Sequence, residues 1–219
     1  MLEPEAISAS LVASFEAAER SDTPFPHWAP QGMLPGDVVQ GIDSLPIEPA
    51  PIEDAQGKRE TQKSTRYFFN GRARLDHKVC DDLAHALQGA DVVNCLAELT
   101  GSRLQEGFLR IEYCLDADGF WLEPHTDSDL KLLNLSIYLS RDPGADEWGT
   151  DLYDSNQKLV NTARYHRNDG LLFVPSETAW HGFRKRPIPG VRRSLVVSYV
   201  RPEWRGRQEL SFPDRLAGD

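Results

Sequence analysis

The chain has 219 residues, of which 40% are hydrophobic and 26% charged. These values are typical of a folded globular protein and argue against a disordered chain. The 24 Lys and Arg residues and 34 Asp and Glu residues give a formal net charge of −10. This charge disfavours general binding to nucleic acid, because binding the phosphates needs a net positive face.

The sequence has no apolar run of about 18 residues, so it predicts no membrane span. Its N-terminal segment is acidic and does not resemble a signal peptide. The three cysteines are too few and too scattered for a disulfide framework or a zinc site. We therefore expect a cytoplasmic protein with reduced thiols and neither a membrane nor a nucleic acid as its partner.

The N-terminal half has the pattern of helices joined by loops. Apolar residues recur at helical spacing in residues 5–20 and again between the prolines at 35 and 46, with a proline-rich loop at 21–34 between them. Residues 46–65 are proline-rich and then polar, which predicts a long loop that can act as a lid. Residues 78–100 predict two short helices that are separated near a glycine.

From residue 107 onward, short apolar runs alternate with turn signals, which predicts strands of a sandwich or barrel. The runs are FLRIEYCL, LKLLNLSIYL, GTDLY, KLV, GLLFV and SLVVSYV. Helices followed by strands indicate an α+β fold, with helices packed on one face of a β core. We expect a single domain over 1–219, made of a mainly helical part with the long loop (1–106), the β core (107–200) and a C-terminal tail (201–219).

Three potential metal ligands stand out in the second half of the chain. His125 and Asp127 form an H-T-D tripeptide before a predicted strand, and His181 lies at the edge of a later strand pattern. In an extended segment residues i and i+2 point to the same side, so His125 and Asp127 can reach one metal ion. Two histidines and one carboxylate leave open coordination positions, which suits a non-haem Fe(II) that binds O2 and a co-substrate.

An R-R-S tripeptide follows His181 eleven residues further on, at Arg192 to Ser194. On a strand, Arg192 and Ser194 share one face, and an arginine fork with a hydroxyl suits a carboxylate. A dicarboxylic co-substrate can bind the metal with one end and Arg192 with the other. If the alternation of this strand is shifted by one residue, Arg193 binds the carboxylate instead of Arg192.

The order and spacing of these residues resemble those of the iron(II)- and 2-oxoglutarate-dependent oxygenases. That family has an H-x-D motif, a distal histidine and then an arginine, often within R-x-S, and the stretch Gly107–Val200 follows this order. The segments H-T-D, K-L-L-N-L-S-I-Y-L and G-V-R-R-S-L are most similar to bacterial members related to prolyl 4-hydroxylase catalytic domains. The resemblance implies a double-stranded β-helix (jelly-roll) core with the N-terminal helices packed on one sheet.

The resemblance also implies a function and a site. His125, Asp127 and His181 would bind Fe(II), and Arg192 and Ser194 would bind 2-oxoglutarate. The expected reaction is hydroxylation of an unactivated C–H bond of a small molecule by O2, with release of succinate and CO2.

Two polar strand residues are open to more than one interpretation. Tyr113 and Asn134 either line the 2-oxoglutarate pocket or are ordinary hydrogen-bonded residues of the sheet. Two alternative functions remain. One is a cupin-like metal-binding β-barrel without 2-oxoglutarate chemistry, and the other is a hydroxylase of protein or peptide side chains. The sequence predicts no oligomeric state.

Overall fold

Among the described residues, the helices and three short strands occupy the first half of the chain, and the remaining strands follow from residue 108 onward. The structure is a computed structural model that describes residues 3–50, 52, 57–58 and 65–219. Within these ranges the helices are α1 (Pro4–Glu16), α2 (Gly36–Asp43), α3 (Gly71–Asp76), α4 (Lys78–Gln88) and α5 (Ala90–Thr100). The strands are β1 (Glu19–Ser21), β2 (His27–Ala29), β3 (Arg66–Phe68), β4 (Phe108–Asp116), β5 (Leu122–His125), β6 (Lys131–Tyr138), β7 (Asp151–Tyr153), β8 (Leu159–Thr162), β9 (Gly170–Phe173), β10 (His181–Phe183) and β11 (Arg192–Val200).

The strands form two antiparallel sheets that pack face to face. The major sheet has seven strands in the order β1-β2-β9-β6-β11-β4-β3, and the minor sheet has four in the order β5-β10-β7-β8. Aromatic and aliphatic side chains from both sheets share one buried cluster, which includes Phe173 of the major sheet and Leu152 and Phe183 of the minor sheet. The inner faces of the two sheets therefore enclose the space in which the site lies.

The helices cover the other face of the major sheet. Leu87 of α4 and Leu195, Val197 and Tyr199 of β11 are fully buried in one cluster, and the Tyr199 hydroxyl donates to the Leu87 carbonyl. The mixture of helices with antiparallel sheet that the sequence predicts is thereby confirmed. In the described part of the chain, no helix combines the length and the apolar composition that crossing a bilayer would need.

Short elements account for most differences from the sequence prediction. The helix predicted over 5–20 ends at Glu16, and β1 begins at Glu19 within the same range. The loop predicted over 21–34 contains β2, and neither β3 nor α3 was predicted. Three-residue strands show too little periodicity to be recognised. Most of the predicted lid, at positions 51, 53–56 and 59–64, lies outside the described residues, but Glu123 of β5 donates its N–H to the carbonyl of Gly57 at 2.9 Å.

The interface between β11 and the helices should carry much of the stability. Leu195→Ala removes a fully buried side chain and should lower the free energy of unfolding by about 2–5 kcal/mol. Leu75→Ala is the matched control because Leu75 is 86% exposed on α3, and it should change stability by about 0.5 kcal/mol or less. Denaturant unfolding of both variants measures the difference, and equal values would contradict this packing.

Candidate functional site

The pairing of β5 with β10 brings the two predicted histidine ligands together. His125 and His181 are direct register partners across these antiparallel strands, and their ring centroids lie 4.4 Å apart. Asp127 follows just after the end of β5, and one of its carboxylate oxygens lies 3.8 Å from Nε2 of His181. One ligand atom from each of the three residues lies within 4.8 Å of the others. Such a cluster can hold one metal ion.

Backbone carbonyls fix the orientation of both histidine rings. Nδ1 of His125 lies 2.8 Å from the carbonyl oxygen of Glu123, and Nδ1 of His181 lies 3.0 Å from that of Ala179. A carbonyl oxygen only accepts, so each Nδ1 carries the proton and each Nε2 is left as a metal donor. Burial lowers the pKa of His181 to about 4, so this ring is neutral at pH 7. The donor set fits a first-row transition metal.

Two donors hold the carboxylate of Asp127 in place. Nζ of Lys131 lies 2.6 Å from Oδ1, and the side chains of Asp127 and Lys131 are each 5% exposed. Nδ2 of Asn134 donates to Oδ2 at 2.5 Å. Asn134 thus lies in the site, where its amide N–H contacts the acidic member of the metal cluster. Its Oδ1 is buried and accepts no hydrogen bond within the described part of the chain.

A cavity between the two sheets extends from this cluster. Its volume is about 40 Å³, which is room for about three water-sized groups. A larger ligand must either extend out of the cavity or move some of the lining side chains. The residues that line it are Arg66, Cys114, Asp116, Phe120, Leu122, His125, Asn134, Ser136, Thr150, Phe173, His181, Gly182, Phe183, Arg192, Ser194 and Val196.

Strand β11 places its two consecutive arginines on opposite faces. Arg192 and Ser194 line the cavity, whereas Arg193 points away from it and pairs with Asp142 at 3.2 Å. The Arg192 guanidinium donates from Nε to the carbonyl of Trp148 at 2.8 Å. The side chain of Arg192 is 9% exposed, so it offers a fixed, enclosed cation in the cavity wall. On β11 it lies six residues before Ser198, the register partner of the Asn134 that contacts Asp127.

The expectation that Tyr113 lines the cavity is wrong. Tyr113 is buried on the opposite face of β4, in the cluster between the major sheet and the helices. Its neighbour Cys114 faces the cavity instead, because successive residues of a strand alternate between its two faces. Burial raises the pKa of the Tyr113 hydroxyl to about 12, so it stays protonated at neutral pH.

Arg66 is a cavity residue that the sequence analysis missed. Its side chain is 4% exposed, although it follows a polar stretch that the sequence assigns to a solvated loop. Nη1 of Arg66 lies 2.8 Å from Oδ1 of Asp116, and Nε lies 3.2 Å from a carboxylate oxygen of Glu112. The only local signal is the short aromatic run Y-F-F that follows Arg66.

Comparisons with known proteins identify the fold. Neither a protein-family model nor a curated protein matches the chain. A prolyl 4-hydroxylase from Pseudomonas putida matches with a TM-score of 0.55 and 15% identity over 89% of this chain and 94% of that one. A prolyl hydroxylase from Trichoplax adhaerens, solved with a hypoxia-inducible-factor peptide fragment, matches with a TM-score of 0.51 and 14% identity over 90% of each chain.

A third similar structure is SnoN, a non-haem α-ketoglutarate-dependent epimerase from nogalamycin biosynthesis. It has a TM-score of 0.52 and 14% identity over 91% of this chain and 85% of that one. All three similar proteins are enzymes. At these identities the likeness shows a common fold, and for the fold it confirms the resemblance to 2-oxoglutarate-dependent oxygenases.

The Asn134 contact generates a test of the metal cluster. Asn134→Ala should weaken the binding of a divalent transition metal roughly 10- to 100-fold, because a partner that orients a ligand is lost. Titration with Co(II), followed by visible absorbance, measures this affinity. Ser136→Ala is the matched control two residues further along the same face of β6, and it should leave the affinity unchanged. Equal affinities in the two variants would rule out this role of Asn134.

Proposed function

We propose that this chain is an iron(II)- and 2-oxoglutarate-dependent dioxygenase. It hydroxylates an unactivated C–H bond of a small-molecule substrate with O2 and releases succinate and CO2. The observation that carries the proposal is that a two-histidine, one-carboxylate cluster adjoins a cavity, and that two of its members, His125 and His181, line this cavity together with the buried Arg192. These are the groups needed to bind a metal ion and a dicarboxylate together.

The strand order supports the double-stranded β-helix that the sequence resemblance implies. From β4 to β11, the strands are shared equally between the two sheets, with β9-β6-β11-β4 in one and β5-β10-β7-β8 in the other. Two packed antiparallel sheets of four strands each are typical of a jelly roll. We assign 1–219 to one domain, with the core at 107–200 and helices α1, α4 and α5 outside the major sheet.

The cluster would hold iron through Nε2 of His125, Nε2 of His181 and a carboxylate oxygen of Asp127. Lys131 and Asn134 keep that carboxylate in position. When bound together with 2-oxoglutarate and O2, iron would supply the oxidant for the C–H bond, with one oxygen atom of O2 ending in succinate as CO2 is lost and the other in the hydroxylated product.

The remaining cavity residues bind and shield the co-substrate. Arg192 and Ser194 lie on one face of β11 and would bind the carboxylate of 2-oxoglutarate farthest from the metal. The rings of Phe120, Phe173 and Phe183 form apolar walls. Walls of this kind exclude water, so charged groups inside the cavity interact more strongly than they would in solvent.

A peptide or protein side chain is the second candidate substrate. It is favoured by the prolyl hydroxylases among the similar structures, one of which was solved with a peptide. Oxygen-dependent succinate release, measured with panels of small molecules and of proline-containing peptides, distinguishes the two classes. We also propose a cytoplasmic location, which rests on the sequence alone, since three scattered cysteines do not suit a disulfide framework.

Anaerobic titration tests the proposed cofactors directly. Adding Fe(II) and then 2-oxoglutarate should produce a weak visible charge-transfer band that needs both. His125→Ala and Asp127→Ala should lose the band and all turnover, because each removes a metal ligand. Iron binding without a band would instead favour a cupin-like metal protein that lacks 2-oxoglutarate chemistry.

The two arginines of β11 form a matched pair for testing the co-substrate site. Arg192→Ala should raise the 2-oxoglutarate concentration needed for half-maximal band intensity by about 10-fold or more, since a charged hydrogen bond is worth about 1.5–3 kcal/mol. Iron affinity should change little. Arg193→Ala should leave both affinities unchanged because Arg193 faces away from the cavity. The reverse result would place the carboxylate on the other face of β11.

A further inference from the structure

A chain of alternating charges crosses the major sheet beside the cavity. Its members, which we call the ion ladder, are in order Glu209, Arg110, Glu112, Arg66, Asp116 and Arg192. Successive members lie 2.7, 2.6, 3.2, 2.8 and 2.8 Å apart. Apart from Glu209, the side chain of every member is at most 9% exposed. The ladder is therefore an internal feature of the fold.

The strand arrangement explains why these charges meet. Arg110, Glu112 and Asp116 are separated by even numbers of residues on β4, so they share the face that points into the sandwich. Strands β3 and β11 flank β4, with Arg66 opposite Cys114 and Arg192 opposite Asp116. The side chains of Arg66 and Arg192 therefore reach Asp116 from its two sides.

Asp116 is shared between two cations. Its Oδ1 accepts from Nη1 of Arg66 and its Oδ2 accepts from Nη1 of Arg192, both at 2.8 Å. Arg192 ends the ladder, and across the described ranges its Nη2 makes no hydrogen bond. This end of the ladder can accept one further anion.

We propose that Arg66 is a positioning residue for the co-substrate, because it retains Asp116 and so leaves Arg192 able to bind a second carboxylate. The proposal rests on the function proposed above, in which that carboxylate belongs to 2-oxoglutarate. Arg66 also lines the cavity, but both of its described ion-pair partners are carboxylates of β4, Glu112 and Asp116. It acts through Asp116, one ladder member away from Arg192.

The donors that Arg192 has already committed explain why it must be shared. Nε donates to the Trp148 carbonyl and Nη1 to Asp116, so a carboxylate that binds this guanidinium competes with Asp116 for it. A buried carboxylate without a partner is strongly destabilising. Arg66 prevents that state, because Asp116 keeps one cation when Arg192 turns to the co-substrate.

Aromatic rings hold the two arginines in fixed positions. The Arg66 guanidinium lies 5.4 Å from the ring centre of Phe120, and that of Arg192 lies 4.6 Å from the ring centre of Phe183. The two rings contact each other with centroids 5.7 Å apart. Because neither arginine is free to move far, Asp116 stays between them, and its negative charge must be balanced at that position.

A double-mutant cycle tests the proposal by measuring the dissociation constant of 2-oxoglutarate for the Fe(II)-loaded protein without oxygen. Arg66→Gln should raise this constant roughly 10-fold or more, as expected for coupled neighbours, with Fe(II) affinity unchanged. Asp116→Asn alone should not weaken binding, because it removes the competing charge. The double variant should return to within about 3-fold of the wild-type value.

Arg110→Gln is the matched control. It also removes a buried ladder cation that pairs with Glu112, but it does not adjoin Asp116, so 2-oxoglutarate affinity should stay unchanged. Thermal unfolding of every variant separates lost folding from lost binding. If Arg66→Gln does not fold, the test uses Arg66→Lys and Asp116→Asn instead. Both should bind 2-oxoglutarate with a dissociation constant within about 3-fold of the wild-type value.

The outcomes separate this inference from the proposed function. Unchanged affinity in Arg66→Gln, or tenfold weaker binding in Asp116→Asn, would overturn the role of Arg66 while leaving the oxygenase assignment intact. A wild-type protein that binds Fe(II) but no 2-oxoglutarate would overturn both.

Discussion

The register between β5 and β10 fixes where the candidate metal ligands meet, because it makes His125 and His181 direct partners across the minor sheet. Each ring is further held by a carbonyl two residues earlier on its own chain segment, so backbone geometry sets both position and orientation. Asp127 lies beyond the end of β5 and lacks that restraint. Lys131 and Asn134, both on β6 of the major sheet, supply it instead. Rigid sheet positions are the best support for a site that must hold its geometry.

The same strand periodicity explains how much of the site could be predicted from the sequence. Alternation along a strand is a local property, so it correctly indicates that Arg192 and Ser194 share a face and that His125 and Asp127 can converge. The burial of Arg66 is not a local property. It depends on carboxylates that lie about 50 residues later in the chain, and β3 is only three residues long. No pattern within the polar stretch before Arg66 carries that information.

Tyr113 illustrates a different limit of sequence analysis. Strand β4 is buried on both faces, so alternation separates Tyr113 from its neighbours but does not say which set faces the cavity. The charged residues Glu112 and Asp116 lie on the other face of β4, inside the sandwich, where Arg66 pairs with both. Tyr113 packs against the helices, where an aromatic ring adds apolar contact area. Pairing of buried charges decided the orientation of this strand, and it is a tertiary effect.

Charge balance links the two ends of the cavity. The ion ladder contains three cations and three anions, and at the other end Asp127 is matched by Lys131. Among the described residues, the enclosed charges thus nearly cancel, although the whole chain carries −10. In the proposed function the cavity takes up a dication and a dianion. Either one alone would leave two uncompensated charges in a poorly solvated space, whereas the two together preserve the balance. The architecture therefore suits joint binding of metal and dicarboxylate better than binding of either ligand alone.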